Sequence, residues 1–152
     1  MKHLPSLLIL CGLPGSGKST YCKQYSNSNF VRLSSDDYIE KVARDQGKTY
    51  NEVFSYAIRD ADRYFKQKLD YYADTEYNII IDRTNLTVKT RRKIINKFKN
   101  HQKMIVFFNV PLNTIKERNI RPGKIFSEEM LDDMYSRLEI PTELEAQVVT
   151  VS

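Results

Sequence analysis

The chain has 152 residues, 41% of them hydrophobic and 28% charged, ordinary values for one globular domain large enough to bury a core without disulfides or metal. Its 24 Lys and Arg against 19 Asp and Glu leave a formal charge of +5, which favours polyanionic partners without demanding them. No apolar run approaches the ~20 residues that span a bilayer, and "MKHLP" leads into the first apolar run without a small-residue cleavage site, so the expectation is a single domain over residues 1–152, with no signal peptide, no membrane contact and a cytoplasmic location.

In chain order, "SLLILC" at 6–11 is a short continuous apolar run bounded by glycine, which predicts a strand buried on both faces of a parallel sheet. It runs into "GLPGSGKST", and residues 18–25 continue as a helix. "FVRLS" at 30–34 predicts a second strand, after which Asp36 or Asp37 can cap a helix that stops at Gly47. Residues 51–73 place Val53, Phe54, Ala57, Ala61, Tyr64, Phe65 and Leu69 at three- and four-residue spacings, the pattern of a long amphipathic helix. "YNIIID" at 77–82 predicts a third strand, and 87–100 a helix with Val88, Ile94, Ile95 and Phe98 on one side. "KMIVFFNV" at 103–110 and "QVVTVS" at 147–152 predict two further strands, with short helices at 112–120 and 127–138 between them. Such alternation predicts an α/β fold: an open five-stranded parallel sheet with helices on both faces and right-handed crossovers.

Gly12, Gly15, Gly17, Lys18 and Ser19 match G-x-x-x-x-G-K-[ST], placed between a strand and a helix as that phosphate-binding motif requires. Glycines let successive N–H groups turn inward at phosphate oxygens. The loop residues Gly12, Pro14, Gly15, Ser16, Gly17, Lys18, Ser19 and Thr20 are therefore expected to hold ATP, with Lys18 bridging the β and γ phosphates and Ser19 on Mg²⁺. Switch GTPases, motor ATPases and small kinases all carry this loop, so it defines the donor side alone.

A kinase also needs a carboxylate near the γ-phosphate to take the proton of an incoming hydroxyl. Asp36 in "LSSDDYI" stands beyond the second strand, where ligands of open α/β sheets collect, and it reads either as that base or as a helix cap; the doublet allows both jobs. Asp82 ends the third strand, where an acid can orient Mg²⁺ through water or serve a turn together with Thr84 and Asn85. Arg118, Arg121 and Lys124 cluster about a Pro-Gly break, a lid of about 118–127 able to bring positive charge over a transferring phosphoryl group. The stretch 83–103 is rich in Lys and Arg without one acid, which suits either a solvated helix face or a surface for a polyanion. Cys11 and Cys22 lack metal or redox spacing and are expected to be small buried residues, and His3 and His101 stand apart from any ligand-type cluster.

"GLPGSGKST", "DDY", "DRTNL" with a basic "TRRK", "ERN" with "RPG", and "SEEMLDDMYSRLEIPTELE" occur in an order and spacing that resembles the phage-type 5′-hydroxyl polynucleotide kinases from about residue 5 to the end. The resemblance implies a kinase domain of adenylate-kinase-like fold with ATP and Mg²⁺. It implies Lys18 and Ser19 on the donor, Asp36 as general base, Asp82 as the metal acid and Arg118 as the catalytic lid arginine. In the phage type, arginines flank the DDY stretch where this chain has Ser35 and Ile39, and an Asp stands immediately before Thr-Asn-Leu where this chain has Arg83. The acceptor is accordingly expected on Asp36, Arg83, Thr84 and Asn85. The second lid arginine falls on Pro122, leaving Arg121 or Lys124 to replace it.

The expected function is ATP-dependent phosphorylation of a 5′-hydroxyl end of DNA or RNA. Two other readings compete: a P-loop kinase for a small-molecule or modified-base hydroxyl, and a nucleotide-binding regulatory module with slow hydrolysis.

Overall fold

A computed structural model describes residues 3–26 and 28–152. Five strands, β1 (Ser6–Cys11), β2 (Phe30–Leu33), β3 (Asn78–Ile81), β4 (Gln102–Phe108) and β5 (Gln147–Val151), form one sheet in the order β2-β3-β1-β4-β5. Every neighbouring pair is parallel; Leu8, for example, stands between Ile80 of β3 and Met104 of β4. The central strands read as unbroken apolar runs because both their faces are covered. Leu7, Ile9, Ile79, Ile81, Ile105 and Phe107 pack on one side beneath Phe65 and Leu69 of α3 (Tyr50–Ala73) and Ile94 of α4 (Val88–Lys97), joined by Phe98. Leu8, Leu10, Ile80, Val106 and Phe108 pack on the other beneath Cys22 of α1 (Lys18–Lys23). Both cysteines are free and buried.

Two departures from the sequence reading concern helix starts. Asp36 and Asp37 do not cap α2 (Asp36–Gln46): Ser35 takes the cap position, and both acids lie in the first turn, where negative charge meets the positive end of the helix. α3 begins one residue earlier than its apolar spacing suggests, at a capping box in which Thr49 Oγ1 accepts from Glu52 N–H at 3.2 Å and Glu52 Oε1 accepts from Thr49 N–H at 2.9 Å. α2 and α3 pack as a pair through Ile39, Ala43, Val53, Ala57 and Ala61. α5 (Leu112–Glu117) and α6 (Glu128–Arg137) pack on each other and on Leu13 and Leu86 through Ile115 and Leu131. No helix among the described residues is long and apolar enough to cross a membrane.

All five strands point the same way, so their carboxyl ends share one edge. At β1 the chain order reverses, β3 lying on one side and β4 on the other, which opens a crevice at that edge. The glycine loop, Ser34–Asp36 and Asp82 all emerge there.

Candidate active site

The loop after β1 is shaped by glycine. Gly15 and Gly17 adopt φ of +81° and +107°, and a Cβ on Gly12 would fall 2.6 Å from Ser16 Oγ and 2.9 Å from Phe108 Cβ. Ser16 Oγ is buried with no hydrogen-bond partner. An orphaned hydroxyl inside a cradle that admits no side chain fits a loop whose polar groups serve phosphate oxygens. Lys18 folds back over the loop, donating to the carbonyl oxygens of Gly12 at 2.8 Å and Leu13 at 2.7 Å. Burial pushes its pKa down to about 8, against the opposing pull of Asp82 and Asp36.

A cleft of about 1100 Å³ runs from this loop across Asp36 and Asp82 to α3 and α6. Lys18, Ser19, Asp36, Asp82, Arg83, Thr84, Arg118 and Arg121 all line it. Asp36 lines it, half-exposed, with both oxygens engaged: Tyr50 Oη donates to Oδ1 at 2.8 Å and Lys124 Nζ to Oδ2 at 3.0 Å. Burial raises the Asp36 pKa, but Lys124 and Tyr50 outweigh it and hold the carboxyl below its usual range. Burial together with Asp36 raises the pKa of Tyr50, which keeps that hydroxyl a donor.

Asp82 is buried and gripped by an arginine absent from the sequence reading. Arg32 Nε donates to Asp82 Oδ2 at 2.8 Å and its Nη2 stands 2.7 Å from the same oxygen, while Nη1 takes both oxygens of Asp37. Among the described residues no group of three or more His, Cys, Asp or Glu could hold a metal alone. Ser19 and Asp82 supply oxygen donors on the same cleft and leave further positions to phosphate and water, a donor set that fits Mg²⁺.

On the lid, Arg118 Nη1 donates to the Gly15 carbonyl at 3.1 Å, beside the phosphate cradle. Arg121 pairs with Glu40 at 3.0 Å instead of reaching the loop. Arg83 lines the cleft but is held from behind, its guanidinium 4.6 Å above the Phe65 ring and 3.3 Å from Asp62. Thr84 offers its carbonyl to Gly12 N–H at 3.0 Å. Asn85 is 3% exposed: its side-chain amide donates to the Leu10 carbonyl at 2.6 Å and braces the end of β1, while its Oδ1 is buried without a hydrogen-bond partner. Ile39 is wholly buried between α2 and α3, which explains how that position dispenses with a charged residue.

A family model described as an AAA domain matches residues 7–141. This chain belongs to that AAA domain family. It is 29% identical over 144 residues to the L-seryl-tRNA(Sec) kinase of Methanococcus maripaludis, covering 89% of this chain and 53% of that protein. The chain thus spans about half the length of this curated relative. Among solved structures, a chain of the Pnkp1/Rnl/Hen1 RNA repair complex superposes with a TM-score of 0.69 at 22% identity, over 91% of this chain and 45% of its own length. A gluconokinase from Sinorhizobium meliloti superposes with a TM-score of 0.62 at 18% identity, over 99% of this chain and 85% of its own. The fold of this AAA domain is that of the P-loop kinases.

The AAA domain also turns one of its basic residues inward. Arg91, in the basic stretch read as either a solvated helix face or a surface for a polyanion, is fully buried and forks onto Glu145 at 2.8 and 3.1 Å, with further bonds to the carbonyls of Asn85 and Glu139 at 2.9 Å each. A cation at a position flanked three residues on by Ile94 carried the signal, since that spacing places both on one helix face. For Arg32 the signal was a lone charge inside the apolar run "FVRLS". Tyr50, which reaches Asp36 from the start of α3, had no local signal.

Proposed function

We propose that this chain binds ATP with Mg²⁺ and transfers the γ-phosphoryl group to a hydroxyl at the 5′ end of DNA or RNA. One observation carries the reading: Asp36 shares a single cleft with the phosphate loop and is oriented there by the Tyr50 hydroxyl. The acceptor oxygen attacks the γ-phosphorus, the bond to the β–γ bridging oxygen breaks, ADP leaves, and the hydroxyl proton passes to Asp36. Lys18 and Arg118 carry the charge on the phosphate oxygens, while Ser19 and Asp82 would hold Mg²⁺, which would supply positive charge to the transferring phosphoryl group. The exposed cations of α4, Lys89, Arg92 and Lys93, offer a polyanion further contacts outside the cleft.

The named relative favours a second reading. L-seryl-tRNA(Sec) kinase, by its name, acts on a hydroxyl carried by an RNA, so an aminoacyl group on tRNA is the alternative acceptor. The test follows labelled γ-phosphate from ATP onto 5′-hydroxyl RNA and DNA oligonucleotides, seryl-tRNA, and neutral sugars. Labelling of oligonucleotide ends that weakens as salt rises supports the proposal. Labelling of seryl-tRNA alone moves the assignment to the second reading, and labelling of sugars alone overturns both.

A further inference from the structure

Two donors hold the proposed base, and they come from distant parts of the chain. Tyr50 Oη, at the start of α3, donates to Asp36 Oδ1 at 2.8 Å, and Lys124 Nζ, on the lid, donates to Oδ2 at 3.0 Å. The Asp36 side chain is 44% exposed, so packing alone does not choose the angle of its carboxylate, and the torsion that sets this angle is intrinsically broad. Its orientation therefore depends on how firmly Tyr50 and Lys124 are fixed relative to each other.

One residue links them. Asn51 follows Tyr50 directly, and its bonds bracket Lys124 on both sides. The Asn51 N–H donates to the Gly123 carbonyl at 2.9 Å, Asn51 Oδ1 accepts from the Ile125 N–H at 2.8 Å, and Asn51 Nδ2 donates to the Ile125 carbonyl at 3.0 Å. The pair of bonds to Ile125 fixes direction as well as distance, as a strand partner would. The lid backbone comes this close only because residue 123 is glycine: it takes φ +77°, and a Cβ there would fall 2.9 Å from Thr49 Cβ. Asn119 closes the other end of the loop through the N–H and carbonyl of Phe126, at 3.0 and 2.6 Å. By contrast, the pairing of Arg121 with Glu40 at 3.0 Å runs through a side chain that is 65% exposed and adds little.

Such an arrangement bears on proton transfer. Each carboxylate oxygen offers about two lone-pair directions, so Asp36 with one donor on each oxygen keeps positions free for an acceptor hydroxyl, and the two donors decide which. Misplacing reacting groups by about 1 Å costs on the order of a hundredfold in rate. Asn51 stands behind the residues that line the cleft, so its effect passes through Tyr50 and Lys124.

We infer that Asn51 is a positioning residue, which yokes Tyr50 to Lys124 and so fixes the orientation of the Asp36 carboxylate toward an incoming hydroxyl. The inference rests on Asp36 being the base of the proposed kinase.

The experiment compares the wild type with Asn51→Ala and with Ile94→Val, a control that lowers stability from the sheet-side core. The first readout needs no activity: a carbon-13 NMR titration of the Asp36 carboxyl in the ligand-free full chain. Partial burial raises that pKa, but Lys124, Tyr50 and Lys18 together hold it below the ordinary range, with Glu40 sharing Lys124. Asn51→Ala should move the midpoint up toward the ordinary range, and Ile94→Val should leave it in place. The second readout is transfer to a 5′-hydroxyl oligonucleotide. In Asn51→Ala kcat should fall at least about tenfold while KM for ATP stays within about threefold. Gly123→Ala, which disturbs the same bonds from the lid side, should reproduce both changes. A midpoint unmoved in Asn51→Ala, or a kcat loss that Ile94→Val matches, overturns the inference. If the wild type phosphorylates no hydroxyl at all, the kinase reading fails, and the titration still decides whether Asn51 governs the Asp36 carboxylate.

Discussion

Arg32 holds Asp82 through two nitrogens, at 2.8 and 2.7 Å, so the acid at the end of β3 is already paired with a cation at the edge where Mg²⁺ would sit. The same guanidinium takes both oxygens of Asp37, which ties β2 to the first turn of α2. Burial disfavours the Arg32 charge, but the two carboxylates outweigh it and raise its pKa, so it stays a cation at any physiological pH.

Removing that cation should expose the competition. Arg32→Gln leaves the buried Asp82 carboxylate unpaired and should cost about 2–4 kcal/mol in the metal-free protein. Mg²⁺ with ATP should then raise the melting temperature of the variant more than that of the wild type. An equal rise in both would place Asp82 outside the metal site.

Asp36→Asn tests the base. It preserves the shape of the side chain and its contact with Tyr50 while removing the proton acceptor, so transfer to an acceptor should fall by about 10²–10⁴. ATP affinity, measured by calorimetry without acceptor, should change less than about threefold, a difference under 1 kcal/mol. A collapse of ATP binding would make Asp36 part of the donor site instead.

Lys18 predicts a proton balance. Its pKa is pushed from 10.5 to about 8 in the ligand-free fold. Between those values the unfolded chain binds more protons than the folded one, so the stability of the ligand-free protein should rise with pH across that window and level off below it. Phosphate restores the charge, so ATP binding near pH 8 should take up a fraction of a proton. Calorimetry in buffers of different ionisation enthalpy measures that uptake, and Lys18→Met should abolish it.

Arg91 and Glu145 form a buried clamp between α4 and the segment before β5. Breaking it from one side, as in Arg91→Met, orphans Glu145 and the carbonyls of Asn85 and Glu139, and should cost about 3–5 kcal/mol by chemical denaturation. Burial raises the Glu145 pKa, but Arg91 and the Thr142 N–H prevail and keep it below the ordinary glutamate range. The ion pair's contribution should thus be present above that range and be lost as pH falls below it through the depressed Glu145 pKa, so the gap between the wild type and Arg91→Met should narrow in acid to what the carbonyl contacts of Arg91 supply.

Residues 6–20 determined a great deal without any tertiary information. A strand, a glycine turn and a helix are local, the motif's spacing is local, and the φ values that it needs are ones that glycine alone supplies cheaply. The alternation of apolar runs with helical spacings likewise sufficed for a parallel sheet, because burial on both faces leaves a continuous pattern in each strand. The partners of the charges were another matter. Asp36 meets Tyr50 and Lys124, 14 and 88 residues away, and Asp82 meets Arg32 across 50. Local spacing carries no trace of such pairs, since they form only when the sheet order brings four chain segments to one edge. Whether a basic residue faces solvent or closes a core is decided in the same way: Arg91 and Arg92 are neighbours in the sequence, and only the packing of α4 sends one inward and leaves the other out.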